Sequence, residues 1–305
     1  MDKPLLINIT GPTASGKTAL AITLAGRLNT EIISADSRQV YREMKIGTAF
    51  PSDEELKRVR HHLLGHKSVR DKYNVKDFER EALEIISHLS RTNDFIVMTG
   101  GTGLYFNAVN YGLDDIPDIP PVIRLALKNQ WEREGLASLL EELALRDPEY
   151  FKQVDKQNPV RVLRALEIIR HTGKPFSSFR TGQRKERFFD TIWFGLDWPR
   201  TLLYERINRR VDGMIAKGLE SEARALYPYR HLQALQTVGY REWFGYFEGK
   251  MSKEKTIEEI KKNTRRYAKR QWTWFRRNKE IHWLDGQKNP ETLTDEIIRI
   301  IEEKP

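Results

Sequence analysis

Eight consecutive residues, Gly11, Pro12, Thr13, Ala14, Ser15, Gly16, Lys17 and Thr18, match the phosphate-holding pattern G-x-x-x-x-G-K-[ST]. Each type has a task. The glycines let backbone N–H groups turn inward on an anion, and the helix that follows adds the partial positive charge of its N-terminus. Lys17 supplies a mobile cation, and the Thr18 hydroxyl can hold magnesium. Gly11–Thr18 is therefore the expected diphosphate- or nucleotide-binding loop, with Thr18 as the metal ligand and Mg2+ as the cofactor. The competing reading is a chance glycine-rich turn. The flanks argue against it: an apolar Leu5–Ile9 precedes the loop, and ALAITLAGRL follows with apolar positions at helical spacing.

Such a loop names the ligand's phosphates and leaves the chemistry open, since kinases, ATPases and group transferases share it. A nucleotide hydrolase needs a strand ending in an aspartate that steers magnesium, yet the strand FIVMTGG ends in Thr99, Gly100 and Gly101. Asp36 lies at the carboxyl end of a different strand, in ADSRQVYR, on the side where parallel sheets place ligands. A carboxylate beside a bound diphosphate is a candidate general base. Strand-to-helix junctions also favour Asp followed by Ser as a turn or cap, so the residues alone leave both roles open.

The elements that must position these groups read as α/β: a P-loop parallel-sheet core with helices on both faces and an inserted all-helical domain. Strands are expected at Leu5–Ile9, Glu31–Ser37, Asp94–Gly103 and Thr191–Trp198. The pattern breaks at Tyr111, where GLDDIPDIPP intervenes, and helical periodicity resumes for about 70 residues. This divides the chain into a catalytic core, 1–110 and 191–305, and a helical insertion, 111–190. Helices are expected within the insertion at Val122–Gly135, Ala137–Leu145 and Pro159–His171, the last stopped by Gly173. Long helices follow at Arg200–Gly218 and Lys255–Arg277, with a final one at Thr292–Glu302.

The chain has 305 residues, 39% of them hydrophobic, which fits a folded globular protein. The absence of cysteine excludes disulfides, thiolate metal sites and cysteine nucleophiles, and it fits a reducing cytoplasm. Nothing resembles a signal peptide or an 18-residue apolar span, so no membrane is expected. A net charge of +9 suggests a polyanionic partner.

The segment TRRYAKRQWTWFRR carries six Lys or Arg and four aromatics in fourteen residues. On a helix, Arg265, Lys269, Trp272 and Arg276 would share one side, a mix of charge and stacking faces suited to single-stranded RNA. The plainer reading is an amphipathic helix with Tyr267 and Trp274 packed in the core and a solvated basic back. Arg161 and Arg164 stand one turn apart and could hold a phosphate together, or be unrelated surface charges. His61, His62 and His66 invite a zinc reading, but no further ligands are evident near them. The aromatics of WFGLDW read as core.

Taken together, GPTASGKT, DSRQVYR, MKIGTA, HHLL, GGTGLY, RALE, VGYREW and AKRQWTWFR occur in an order that resembles the isopentenyl-tRNA transferase (tRNA dimethylallyltransferase) family over nearly the whole chain. The resemblance implies an enzyme that moves a dimethylallyl group from dimethylallyl diphosphate, with Mg2+, to the exocyclic amine of the adenine at tRNA position 37. It implies Asp36 as base, with Lys17, Thr102 and Arg210 as the other catalytic residues. It implies tRNA contacts from Asp36, Ser37, Arg38, Gln39, Thr102, Arg124, Arg161, Arg164, Lys269, Arg270, Trp272 and Arg276. The partners would be the tRNA anticodon stem-loop and dimethylallyl diphosphate, and the enzyme a cytoplasmic monomer. Two positions depart from the family: Phe50 stands where a lysine commonly precedes proline, and Val160 where a polar residue commonly precedes Arg161. These bear on individual RNA contacts rather than on the reaction. A small-molecule kinase and a nucleotide-switched RNA-binding protein are the alternatives that the same loop admits. A free-adenylate prenyltransferase shares the core motifs, but leaves the insertion and the basic helix without a purpose.

Overall fold

The computed structural model describes residues 3–303. Six strands make one parallel sheet: β1 (Leu5–Thr10), β2 (Ile32–Ser34), β3 (His61–His62), β4 (Phe95–Thr99), β5 (Asp190–Asp197) and β6 (Ile281–Asp285), in the order β3-β2-β4-β1-β5-β6. β1 is central because LLINIT is an almost unbroken apolar run, buried from Leu6 to Thr10, as a strand covered on both faces requires. Its one amide is matched: Asn8 and Asn110 exchange hydrogen bonds at 3.0 and 3.2 Å. In β5, Ile192, Phe194 and Leu196 join the core that includes Leu20 and Leu24 of the helix Lys17–Arg27 and Ile297 of the last helix, Pro290–Glu302. Trp193 points to the other face and meets the Phe106 ring at 5.6 Å, so the period of two puts a packed layer on each side.

The sheet has two strands beyond the four expected. β3 is only two residues long, and β6 reads IHWLD with only Ile281 and Leu284 buried, without the apolar run that announces an interior strand. The expected strands are also trimmed. β2 ends at Ser34, with Ala35 N–H still donating to the Thr99 carbonyl at 2.7 Å before the chain turns at Asp36. β4 stops at Thr99 because Gly100 crosses Ala35 so closely that a Cβ there would lie 2.2 Å from the Ala35 carbonyl oxygen. Gly103 already belongs to the helix Gly103–Tyr111.

The chain forms two compact units, one made of residues up to Asn110 with those from Arg187 on, the other Tyr111–Glu186. The second unit is helical: Pro121–Glu134, Ala137–Arg146, Pro148–Gln153 and Pro159–Thr172 enclose Leu127, Leu139, Leu143, Val162, Leu166 and Ile169. The helix Pro148–Gln153, hidden in sequence by its six-residue length, is capped by the buried Asp147, which accepts from Tyr150 N–H at 3.0 Å. Pro159–Thr172 begins with its proline and ends on left-handed Gly173. No helix among the described residues is long and apolar enough to cross a membrane.

Candidate active site

The phosphate loop runs between β1 and the helix Lys17–Arg27. Gly16 caps that helix at φ 100°, a conformation that strains any residue with a side chain. Lys17 Nζ donates to the Pro12 carbonyl at 2.7 Å. Burial and the nearby Arg210 cation push the Lys17 ammonium down to about 7, against the raising effect of Asp36. Arg210 itself is lowered by burial and held up by Asp36, so two cations and one carboxylate share a single electrostatic neighbourhood.

Asp36 makes a turn and also faces the cleft. Its Oδ1 accepts from Arg38 N–H at 2.9 Å and Gln39 N–H at 3.4 Å, forming the turn, and the side chain also lines the cleft. Ser37 N–H donates to Thr102 Oγ1 at 2.9 Å, and the two hydroxyls lie 3.2 Å apart. Thr102 thus fixes Ser37, which lines the cleft. Gln39 donates to the carbonyls of Thr48 and Ala49, and Arg38 to those of Gln233 and Ala234, so this turn braces two further loops.

Two long helices, Arg200–Ala216 and Lys253–Phe275, close the cleft. Arg206 donates to the Ala14 carbonyl at 2.9 Å with its guanidinium 4.3 Å from the Trp198 ring centre. Gln271 accepts from Thr13 N–H at 2.8 Å and donates to the Gly101 carbonyl at 2.9 Å. The cleft-lining stripe of the second helix is Ile260, Thr264, Tyr267 and Gln271, joined by Arg270. The expected stripe, Arg265, Lys269, Trp272 and Arg276, is displaced by one residue and so rotated by about 100°. Arg265 instead donates to Asn208 at 2.7 Å, and Arg276 pairs with Asp197 at 3.3 Å above the Trp272 ring. Lys269 is exposed away from the cleft. The amphipathic reading fails in part as well: Tyr267 faces the cleft and Trp274 is 38% exposed.

A cavity of about 420 Å3 extends from Thr13 and Lys17 past Asp36, Ser37, Arg38 and Gln39 to Tyr267, Arg270 and Arg241. A second, about 600 Å3, lies over Ala14, Ser15 and Gly16 and under Arg206, Arg209 and Arg210. Lys17, Thr18 and Arg210 line both, so cations stand where the two spaces meet. Among the described residues, no three His, Asp or Glu side chains are grouped to hold a metal. His61 and His62 go to the Val59 carbonyl and Glu31, and His66 to Glu81. Near the loop the protein offers the Thr18 hydroxyl and the Asp36 carboxylate, which suits a magnesium ion that takes its other ligands from phosphate oxygens and water.

In the insertion, Glu167 is nearly buried and accepts from Arg124 at 3.2 Å and Arg164 at 3.1 Å, so one carboxylate orients two of the three arginines singled out there. Arg161 is exposed one turn earlier, beside Val160, which is 73% exposed.

Sequence reasoning missed Gln271, Arg206, Arg209 and Glu222. The first sits inside the motif AKRQWTWFR, a polar residue hidden among cations and rings. Arg206 and Arg209 flank Arg210 at spacings of four and one on a helix that the loop touches, and that spacing was the available signal. Glu222 accepts from the N–H groups of Lys45, Ile46 and Gly47 at 2.8–3.0 Å and from the Tyr240 hydroxyl at 2.7 Å, holding the MKIGTA loop beside the cleft.

Comparison with known proteins identifies the family. The family model described as IPP transferase matches residues 39–278. A tRNA dimethylallyltransferase of Christiangramia forsetii is 51% identical over 292 residues, covering 96% of this chain and 97% of that protein. The crystal structure of a tRNA isopentenylpyrophosphate transferase from Bacillus halodurans aligns with TM-score 0.72 at 39% identity, covering 98% of this chain and 96% of the other. A eukaryotic dimethylallyltransferase acting on tRNA aligns with TM-score 0.83 at 27% identity, covering 99% of this chain and 80% of that one.

Proposed function

The chain belongs to the IPP transferase family, and on that premise we propose how its residues carry a prenyl transfer to tRNA. The reaction moves a dimethylallyl group from dimethylallyl diphosphate to the exocyclic amine of the adenine beside the anticodon, position 37, giving i6A. The observation that carries the residue assignment is the junction of the two cavities at Lys17, Thr18 and Arg210, with Asp36 in one of them.

In this reading the diphosphate lies on the loop under Arg206, Arg209 and Arg210, and the adenine enters from the Asp36 side, brought out of its stack. The amine attacks the first carbon of the dimethylallyl group; the carbon–nitrogen bond forms as the carbon–oxygen bond breaks, and Asp36 takes the amine proton. An adenine amine is a weak nucleophile because its lone pair is delocalised into the ring, so a placed carboxylate lowers the barrier. The departing diphosphate gathers charge that Lys17, Arg210 and the loop amides stabilise without moving. Thr18 would hold a magnesium ion whose charge offsets that of the diphosphate. Ser37, Arg38, Gln39 and Arg270 line the adenine side, and Thr102 serves by fixing Ser37. The basic face of Lys253–Phe275, with Lys269, Trp272 and Arg276, and the insertion's Arg124, Arg161 and Arg164 meet the anticodon arm. We read the enzyme as a monomer acting in the cytoplasm beside its tRNA.

The test is to incubate the protein with unmodified tRNA, labelled dimethylallyl diphosphate and magnesium, and to seek prenylated adenosine by mass spectrometry. A product that disappears with Lys17→Ala supports the assignment; turnover of ATP without prenylation overturns it.

A further inference from the structure

A third cavity, about 530 Å3, lies outside the site described and is lined by Arg42, Lys45, Lys57, Arg60, His61 and Phe50 among others, with no acidic side chain in its wall. Its cations are largely uncommitted. The Arg42 guanidinium ends on the carbonyls of His66 and Lys67 at 3.1–3.3 Å, which fixes its position without neutralising it. Lys45 Nζ lies 5.9 Å from the centre of the Phe50 ring. Arg60 has a distant partner in Glu31 at 3.8 Å and remains 72% exposed. The His61 Nδ1 meets the Val59 carbonyl at 2.9 Å, and its Nε2 is buried with no hydrogen-bond partner among the described residues. Four cations around one hollow, with no carboxylate in its wall, are a site for an anion rich in acceptor oxygens.

The neighbours decide which anion. This cavity shares no lining residue with the adenine side of the cleft, but shares Phe50 with the cavity over the phosphate loop. The Phe50 ring, held against Gly65, is the wall common to the two basic spaces. A phosphate here would stand across the Phe50 ring from the cavity that Arg206, Arg209 and Arg210 line over the phosphate loop.

We propose that the basic cavity is a second phosphate-binding site, at which the diphosphate group docks on its way to or from the phosphate loop. This rests on the reading of that loop as the seat of the diphosphate. It is tested by equilibrium dialysis of the full chain without tRNA, using labelled inorganic diphosphate and, in parallel, labelled dimethylallyl diphosphate. Two equivalents of each are expected to bind, and Lys57→Ala with Arg60→Ala should weaken only the second by about tenfold or more. Both side chains are exposed, so the fold should survive; Lys57→Glu alone provides a second variant with the same expectation. A single equivalent in the unaltered protein, two unchanged equivalents in the variants, or a second equivalent with the prenylated ligand alone overturns the proposal. So does a variant that loses tRNA affinity while keeping both diphosphate equivalents, since the cavity would then serve RNA. Failure of the loop reading is separate: Lys17→Ala would then leave the tighter equivalent intact whatever happens to the weaker one.

Discussion

Gln271 donates to the Gly101 carbonyl at 2.9 Å while its other amide atom accepts from the phosphate loop at Thr13, so one side chain sets the distance between the loop and the end of β4. Gln271→Ala strands a buried acceptor and a donor, and should lower stability by about 2 kcal/mol. Gln271→Glu keeps the acceptor for Thr13 and loses the donor to Gly101. We expect it to retain the thermal midpoint better than alanine while turnover still falls, with tRNA affinity nearly unchanged; thermal melts and steady-state kinetics check this.

Asp36→Asn preserves an oxygen that can accept from Arg38 N–H, so the turn should persist while the proton acceptor is gone. Transfer should fall by roughly 10^2 to 10^4, the usual worth of a placed general base, with tRNA binding intact. Unchanged transfer would remove Asp36 from the base role and leave it the turn alone.

Diphosphate binding should be linked to protonation of Lys17. Free, its ammonium titrates near 7 because of burial and Arg210; a bound diphosphate raises that value. Between pH 7 and the ordinary lysine range the complex therefore holds more protons than the free protein, so binding takes up a proton and affinity falls as pH rises. The expected slope approaches about tenfold per pH unit and is lost in Lys17→Met. Calorimetry in buffers of different ionisation enthalpy measures the uptake directly.

In the insertion, Arg161 is exposed and Arg124 and Arg164 are oriented by Glu167. Arg161→Ala should weaken tRNA binding and reduce the dependence of log K on log salt by about one unit at most. Glu167→Gln should raise the tRNA concentration needed for half-saturation severalfold without changing the rate at saturation, because it frees two arginines rather than touching the reaction. A lowered saturating rate would instead tie the insertion to chemistry.

What could be read from the residues alone follows from distance along the chain. The loop and its strand and helix are local, and the loop's flanks and pattern lie within one strand–loop–helix stretch. The Asp36 turn is local too, though whether the carboxylate also faces a ligand depends on strand order. Gln271 bonds to residues 258 and 170 positions away, so nothing near it in sequence signals its task. The basic helix shows how small an error matters: its composition was legible, but which side faces the cleft is set by packing against Arg200–Ala216, and a shift of one residue turns the stripe by about 100°. The edge strand β6 lacked the apolar run because one of its sides has no neighbouring strand to bury it.

Glu222 has a consequence of its own. Three successive N–H groups, from Lys45 to Gly47, converge on its carboxylate, the same backbone concavity that elsewhere captures free anions. The protein thus carries its own counter-ion for this curl of chain, an internal plug that keeps a loop of the cleft wall from competing for the substrate's charge. Truncating it to alanine would create a vacancy that acetate or formate from the medium could refill, and restored turnover in those salts would report a loop shaped by the anion it encloses.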